Sequence, residues 1–94
     1  METVDDLTIK YTEGDVELVK ELDKHILSKG AWTTIMFLYQ EWNGQKEEYG
    51  AAKVSIRRYQ KRDNRYQQKS KFNISSAKQA NQMIDVLQNW FPEQ

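Results

Sequence analysis

The sequence predicts an α+β fold in which antiparallel strands precede a single C-terminal amphipathic helix. Three observations predict this order: an aromatic and β-branched run at 32–42, two alternating segments at 53–61 and 66–74, and an apolar stripe of helical spacing after residue 76. The 94 residues suffice for one domain with one small core. We expect residues 1–14 to form an acidic arm and residues 15–92 to form the domain.

Residues 16–27 are ambiguous from their pattern. Val16, Val19, Leu22 and Ile26 fit the apolar stripe of a helix, and Asp15 suits its N-cap, so the pattern alone favours helix.

Residues 32–42 are expected to form a strand that is partly buried on both faces, because β-branched and aromatic side chains dominate the run. Asn43-Gly44 then predicts a turn that opens a loop extending through Gly50.

Residues 53–74 are expected to form a hairpin. Val54 and Ile56 share one face of the first strand, and the other face carries Lys53, Ser55, Arg57, Tyr59 and Lys61. Asp63-Asn64 supplies the turn. In the second strand Phe72 and Ile74 face one way, and Lys69, Lys71 and Asn73 face the other. The pattern therefore predicts an apolar inner face and a cationic outer face.

The C-terminal segment is expected to be the helix. Ser76 and Gln79 have the spacing of a capping box, and Pro92 is expected to end the helix. The apolar stripe consists of Ala80, Met83, Ile84, Leu87 and Phe91.

The composition argues against an enzyme. The chain has one histidine, His25, and no cysteine, which excludes a Cys-His nucleophile pair. The adjacent acids Glu47 and Glu48 do not form a metal-ligand set, and the four scattered glycines do not form a phosphate-binding loop, so no metal or cofactor is expected. We expect a cytoplasmic protein without a membrane partner, because no apolar run approaches the roughly 18 residues of a membrane span and the start lacks a signal-peptide pattern.

Residues 53–71 concentrate the positive charge. They hold eight basic side chains and one acid, Asp63, although the whole chain has 14 of each sign. Cations neutralise phosphates, and an aromatic ring among them offers a stacking surface to a base. The candidate nucleic-acid-binding residues are Lys53, Arg57, Tyr59, Lys61, Lys69 and Lys71. The alternative is a solvated hairpin whose charges keep a sheet edge unpaired.

Residues 1–25 concentrate the negative charge, with eight acids and three lysines. Residues 7–11 alternate briefly before Gly14, which suits either a frayed arm or a short edge strand. Two interpretations of the acids stay open: they belong to a solvated face of the fold, or they form a mobile arm that competes with nucleic acid for the basic face.

Three segments carry a resemblance to a known family: LSKGAWTTIMFLYQEWNG at 27–44, AKVSIRRY at 52–59 and KSKFNISSAKQANQMIDVL at 69–87. They include, in order, Leu27-Ser28, Ala31-Trp32, Trp42-Asn43 and Lys53 with Ile56 and Arg57, followed by a basic strand, a serine cap and a helix. In this order and spacing the chain resembles the positive cofactor 4 family of transcriptional coactivators, especially its small bacterial and phage members.

The resemblance implies a curved four-stranded antiparallel sheet followed by one helix, assembled as a homodimer that binds single-stranded DNA. It implies that residues 16–27 form the first strand. Lys53 and Arg57 match basic positions of the third strand, Tyr59 matches an aromatic at its end, and Lys69 and Lys71 lie where the fourth strand is basic. Trp32 and Tyr39 are further stacking candidates, and Ala80, Met83, Ile84, Leu87 and Trp90 are expected to pack the helix and the dimer.

The function expected from charge and resemblance together is non-catalytic binding of single-stranded DNA, with RNA as an alternative ligand and the transcription machinery as a further partner. The competing hypothesis is a dimeric protein-interaction module whose basic sheet holds an acidic partner or the chain's own N-terminal arm.

Overall fold

The computed structural model describes residues 3–93 and confirms the α+β class, a curled antiparallel sheet followed by one C-terminal helix. The elements are β1 (Tyr11–Glu13), β2 (Val16–Ser28), β3 (Trp32–Asn43), β4 (Glu48–Tyr49), β5 (Lys53–Arg62), β6 (Arg65–Ile74) and α1 (Ala77–Trp90). The strand order is β1–β2–β3–β5–β6, with β4 paired to the end of β3. The sheet therefore has the four long strands expected and two short ones. β4 was not predicted, whereas β1 lies in the N-terminal segment for which a short edge strand was one of two interpretations.

Residues 16–27, for which pattern and resemblance disagreed, form the strand β2. The helix-like spacing arises because the pairing with β3 shifts register near Leu22 and near Leu27. A bulge adds one residue to a strand, so side chains on either side of it keep a common face at an odd separation. Val19 and Ile26 consequently both pack against the core although seven residues separate them.

The β5–β6 hairpin turns at Asp63 and Asn64, as predicted. Both residues have positive φ, 52° and 63°, which is the requirement of a type I′ turn. The alternation of β6 is interrupted, however. Arg58 pairs with Ser70 whereas Tyr59 pairs with Gln68, so Lys69 is an extra, bulged residue. Lys71 faces the same side as Arg57, and the regular alternation predicted for Lys69 is absent.

The predicted helix α1 is confirmed, with Ser76 as its N-cap: the Ser76 Oγ accepts a hydrogen bond from the Gln79 N–H at 3.1 Å. Its main contact with the sheet is with β6, and none of its residues is buried. Of the side chains expected to pack, Ala80 and Met83 are half-buried. Ile84, Leu87 and Trp90 are 48%, 48% and 66% exposed, so a single chain leaves most of the apolar stripe uncovered.

The core lies on one face of the sheet, which we call the arm face. It carries Thr33, Ile35, Phe37 and Tyr39 of β3 and Ser55, Arg57 and Tyr59 of β5. Val4, Leu7 and Ile9, from a segment before β1, pack against this face. The predicted outer face of β5 is therefore covered by this segment. Alternation separates the side chains of a strand into two faces, but it does not show which of the two faces another part of the chain covers.

The opposite face, which we call the open face, carries Trp32, Met36 and Leu38 of β3 beside Val54 and Ile56 of β5. These two β5 side chains are half-buried, and Leu38 is exposed. Phe72, which pairs with Ile56, is 50% exposed. The apolar side chains of the open face are therefore incompletely covered in one chain.

Candidate nucleic-acid interface

The β5–β6 hairpin places like charges opposite one another. Arg57 pairs with Lys71, and Arg62 pairs with Arg65 next to the turn. Like charges directly opposite on neighbouring strands destabilise a sheet. Asp63 is the only acid between residues 53 and 74, so the hairpin does not neutralise its own charge. A bound polyanion would relieve this repulsion.

Ion pairs from the rest of the chain do not neutralise the hairpin either. Within residues 3–93 the single salt bridge joins Lys53 Nζ to Glu41 Oε1 at 2.9 Å. The hydrogen bond from Lys53 and the charge of Glu41 raise the pKa of the lysine. Among the predicted phosphate ligands, Lys53 therefore has its charge compensated by Glu41. The other cations of the hairpin form no ion pair with an acid in the described part of the chain.

Arg57 is held in a fixed orientation by neutral groups. Its Nε donates to Ser55 Oγ at 3.1 Å, and its Nη1 donates to Gln68 Oε1 at 3.0 Å. Ser55 is completely buried, which restrains the guanidinium at its base. An oriented guanidinium with spare donors suits phosphate, whose oxygens match its planar fork.

Tyr59 and Tyr39 lie on the arm face and are only 6% and 8% exposed. Burial raises the pKa of the Tyr59 phenol, and the charge and hydrogen bond of nearby Arg57 act in the opposite direction. The expectation that these two rings are open to a base is therefore wrong for the structure as it stands. Ile9, from the segment before β1, and Tyr59 of the arm face belong to one apolar cluster, which explains why the Tyr59 ring is buried.

Trp32 is the predicted stacking residue that remains accessible, with 39% of its surface exposed. The Arg58 guanidinium carbon lies 4.1 Å from the centre of its ring, within the range of a cation–π interaction. Arg58 was not among the predicted site residues because its parity placed it with Val54 and Ile56. The cross-strand register, in which Arg58 faces Thr34 and Trp32 faces Gln60, was needed to bring the two together.

Lys61, Lys69 and Lys71 are exposed. The Lys61 ammonium lies 5.4 Å from the centre of the Tyr66 ring. Because β6 is the last strand of the sheet, Lys69 and Lys71 line a free edge whose outward N–H groups are also available to phosphate oxygens. Arg62 and Arg65 lie next to the turn of the same hairpin, and we call the exposed cations of its two strands the cationic rim.

The described residues contain few features of a metal site or of a membrane-spanning segment. Among residues 3–93 no group of three or more His, Cys, Asp or Glu side chains is placed to hold a metal ion. In the same range no helix is long and apolar enough to cross a membrane. His25 is an exposed residue of β2 opposite Met36.

Comparison of the chain with protein-family models, with curated proteins and with solved structures gave no match.

Proposed function

We propose that this protein is a non-catalytic single-stranded nucleic-acid-binding protein that acts as a homodimer. The observation that carries the proposal is the uncompensated charge of the β5–β6 hairpin, in a chain whose net charge is zero. Its like-charged cross-strand pairs, Arg57 with Lys71 and Arg62 with Arg65, are stabilised when an anion lies between them. This function matches the resemblance to the positive cofactor 4 family and a role in transcription, replication or repair.

A single strand fits the site better than a duplex does. The cations follow an extended hairpin. On its open face, which Arg58 and Arg62 share by alternation, the exposed ring of Trp32 offers a flat surface to an unpaired base. Stacking of a base on such a ring contributes roughly 1–3 kcal/mol and requires no particular sequence. Single-stranded DNA is the proposed ligand. Comparison of its affinity with that of single-stranded RNA of the same length shows which of the two nucleic acids is preferred.

Titration of fluorescently labelled oligo-dT with the full chain, followed by anisotropy, tests the proposal. We expect saturable binding at micromolar protein and about 50 mM salt that weakens as salt is added, because cation–phosphate contacts release counterions. An anisotropy that stays flat under these low-salt conditions would contradict the proposed function, and the same titration with oligo-U measures the preference for DNA over RNA.

The proposed dimer is supported by how much surface one chain exposes, which includes apolar side chains of α1 and the open face. The Cα radius of gyration is 15.4 Å, whereas a compact domain of 94 residues has about 12 Å. The accessible surface is 7293 Å², roughly 1,600 Å² more than a compact monomer of 11.2 kDa exposes. Two protomers in a standard interface bury about 800 Å² each. Pairing through the α1 stripe and the end of the open face near Leu38 and Phe72, away from Trp32, would cover about half of this excess.

Leu87→Glu is expected to convert the dimer into a monomer, because Leu87 lies in the uncovered stripe of α1 and a carboxylate would be buried there in the dimer. Sedimentation equilibrium measures the mass, with twice the 11.2 kDa chain mass expected for the wild type. Gln88→Glu adds the same charge to the neighbouring exposed position and should remain a dimer. A wild-type protein that sediments at the mass of one chain would contradict the proposed assembly.

A second candidate function is peptide binding, and one observation favours it: the arm face already holds residues 3–10 of this chain through their apolar side chains. A partner peptide with the same spacing of apolar residues would bind there in its place. If this is the main function, a chain that lacks residues 1–10 will bind a labelled peptide of residues 3–10, and oligo-dT will neither bind nor compete.

A further inference from the structure

Residues 3–10, which we call the arm segment, cross the arm face before the first strand begins. The segment starts with a 3-10 turn at Val4–Asp6 and continues without strand pairing to Lys10. The Thr3 N–H donates to Asp6 Oδ2 at 3.0 Å, and this hydrogen bond lowers the pKa of Asp6. Val4 and Leu7 are half-buried and Ile9 is 8% exposed, so the segment contacts the sheet through its apolar side chains.

Two side chains of β2 hold the arm segment by hydrogen bonds. The Lys24 Nζ donates to the carbonyl oxygens of Asp5 and Leu7, both at 2.7 Å. The Glu21 Oε1 accepts from the Thr8 hydroxyl at 2.7 Å and from the Ile9 N–H at 3.2 Å. Lys24 and Glu21 therefore attach the arm segment to the sheet along its length, and both lie on β2 rather than on the cationic hairpin.

The attachment is of a kind that opens without unfolding the sheet. Within residues 3–93, no backbone-to-backbone hydrogen bond joins the arm segment to a strand. Segments with few buried contacts and no ladder hydrogen bonds open at a lower free energy than the strands they cover. The pairing of β2 with β3 and of β5 with β6 does not involve the arm segment.

The arm segment covers the part of the arm face that is most useful to a nucleic acid. Tyr59 is buried in the cluster that contains Ile9, and Arg57 is hydrogen-bonded on the same face two residues before Tyr59. Phe37 and Tyr39 lie in the same cluster. Release of the arm segment would make three aromatic rings accessible beside the oriented guanidinium of Arg57, which is the combination a single strand requires.

We propose that the arm segment is a displaceable inhibitory strap, and that it and single-stranded nucleic acid occupy the arm face in turn. This inference depends on the proposed function and adds its regulation. The apparent affinity is the affinity of the released form multiplied by the fraction of molecules in which the strap is released, since nucleic acid stacks on Tyr59 only in those molecules. It also leaves the exposed rim of Lys61, Lys69 and Lys71 free to make the first encounter.

Ile9→Asp tests the strap, because a carboxylate at this 8% exposed position cannot stay in the apolar cluster. Thr12→Asp adds the same charge at an exposed position of β1 and is the matched control. We expect Ile9→Asp to bind oligo-dT more tightly than Thr12→Asp, within the roughly 5- to 150-fold range typical of coupling between sites. A chain that lacks residues 2–10 should bind at least as tightly as Ile9→Asp.

Release of the strap is measured independently by the pKa of Tyr59, followed by NMR of ¹³C-labelled tyrosine rings. The pKa is raised by burial in the wild type, so it should fall toward 10.0 in Ile9→Asp and stay raised in Thr12→Asp. A Tyr59 pKa that does not fall overturns the strap, and so does a fall without tighter binding relative to Thr12→Asp. If wild type, Ile9→Asp and the truncated chain all fail to bind oligo-dT, the proposed function itself has failed.

Discussion

Replacement of Lys61, Lys69 and Lys71 together by glutamine is expected to weaken oligo-dT binding by at least about 100-fold at low salt. Hydrogen bonds to charged groups contribute roughly 1.5–3 kcal/mol each. A 100-fold loss of affinity corresponds to about 2.7 kcal/mol, which is less than the sum for three such contacts. The expected loss is set below that sum because solvent screens these exposed side chains. Removal of one phosphate-binding cation should also reduce the slope of log affinity against log salt by about 0.7, and removal of three should reduce it by about 2 per protomer. Anisotropy titrations at several salt concentrations measure both quantities.

The control for this prediction removes the same charge elsewhere. Lys20, Lys46 and Lys78 are exposed lysines outside the hairpin and the arm segment, and their joint replacement by glutamine leaves the cationic rim intact. We expect this variant to keep its affinity within a few fold and its salt slope unchanged. Equally weakened binding in the two triple variants would mean that binding follows net charge, and the assignment of the site to the hairpin would then be wrong.

Phe37→Ala is expected to lower the free energy of unfolding by about 3–5 kcal/mol, the usual cost of removing a buried phenyl ring. Phe37 of β3 is completely buried in the cluster that contains Ile9 of the arm segment, and it is the largest of the fully buried side chains among residues 3–93. Because single domains are stable by only about 5–15 kcal/mol, much of the stability depends on this side chain. Urea unfolding followed by far-UV circular dichroism measures the change.

The comparison variant is Leu27→Ala, at a β2 position that is 54% exposed. Its expected cost is below about 1 kcal/mol, since exposed substitutions seldom disturb packing. If Phe37→Ala costs no more than Leu27→Ala, the arm face is not the core of the fold, and the burial of Tyr59 beneath the arm segment has no basis.

Local sequence patterns correctly predicted the features that depend only on residues close together in the chain, such as a turn and a helix N-cap. The type I′ turn at Asp63-Asn64 and the Ser76 N-cap are set by the backbone and side-chain preferences of those residues, and both were found where predicted. The alternation of β5 was found as well, because side chains of a strand necessarily point to opposite faces. Residues 16–27 show the limit: two bulges gave β2 an apolar spacing that a regular strand does not have.

The accessibility of the site could not be predicted in the same way. Tyr59 was expected to be exposed because its neighbours Arg57 and Lys61 are charged, but its burial depends on Val4, Leu7 and Ile9, about fifty residues earlier. The pairing of Arg58 with Trp32 likewise depends on the register between β3 and β5. Contacts between distant segments follow from packing of the whole chain, which the pattern of one strand does not contain.

Nucleic-acid binding by the hairpin is tested most directly by titrating the ¹⁵N-labelled full chain with oligo-dT at about 50 mM salt, where electrostatic binding is strongest, and mapping the amide chemical-shift changes. We expect the largest changes along β5 and β6, at Arg57, Lys61, Lys69 and Lys71, followed by changes at Val4–Asp6 as the arm segment leaves. Changes confined to α1, or none on the hairpin at saturating oligo-dT, would contradict the account.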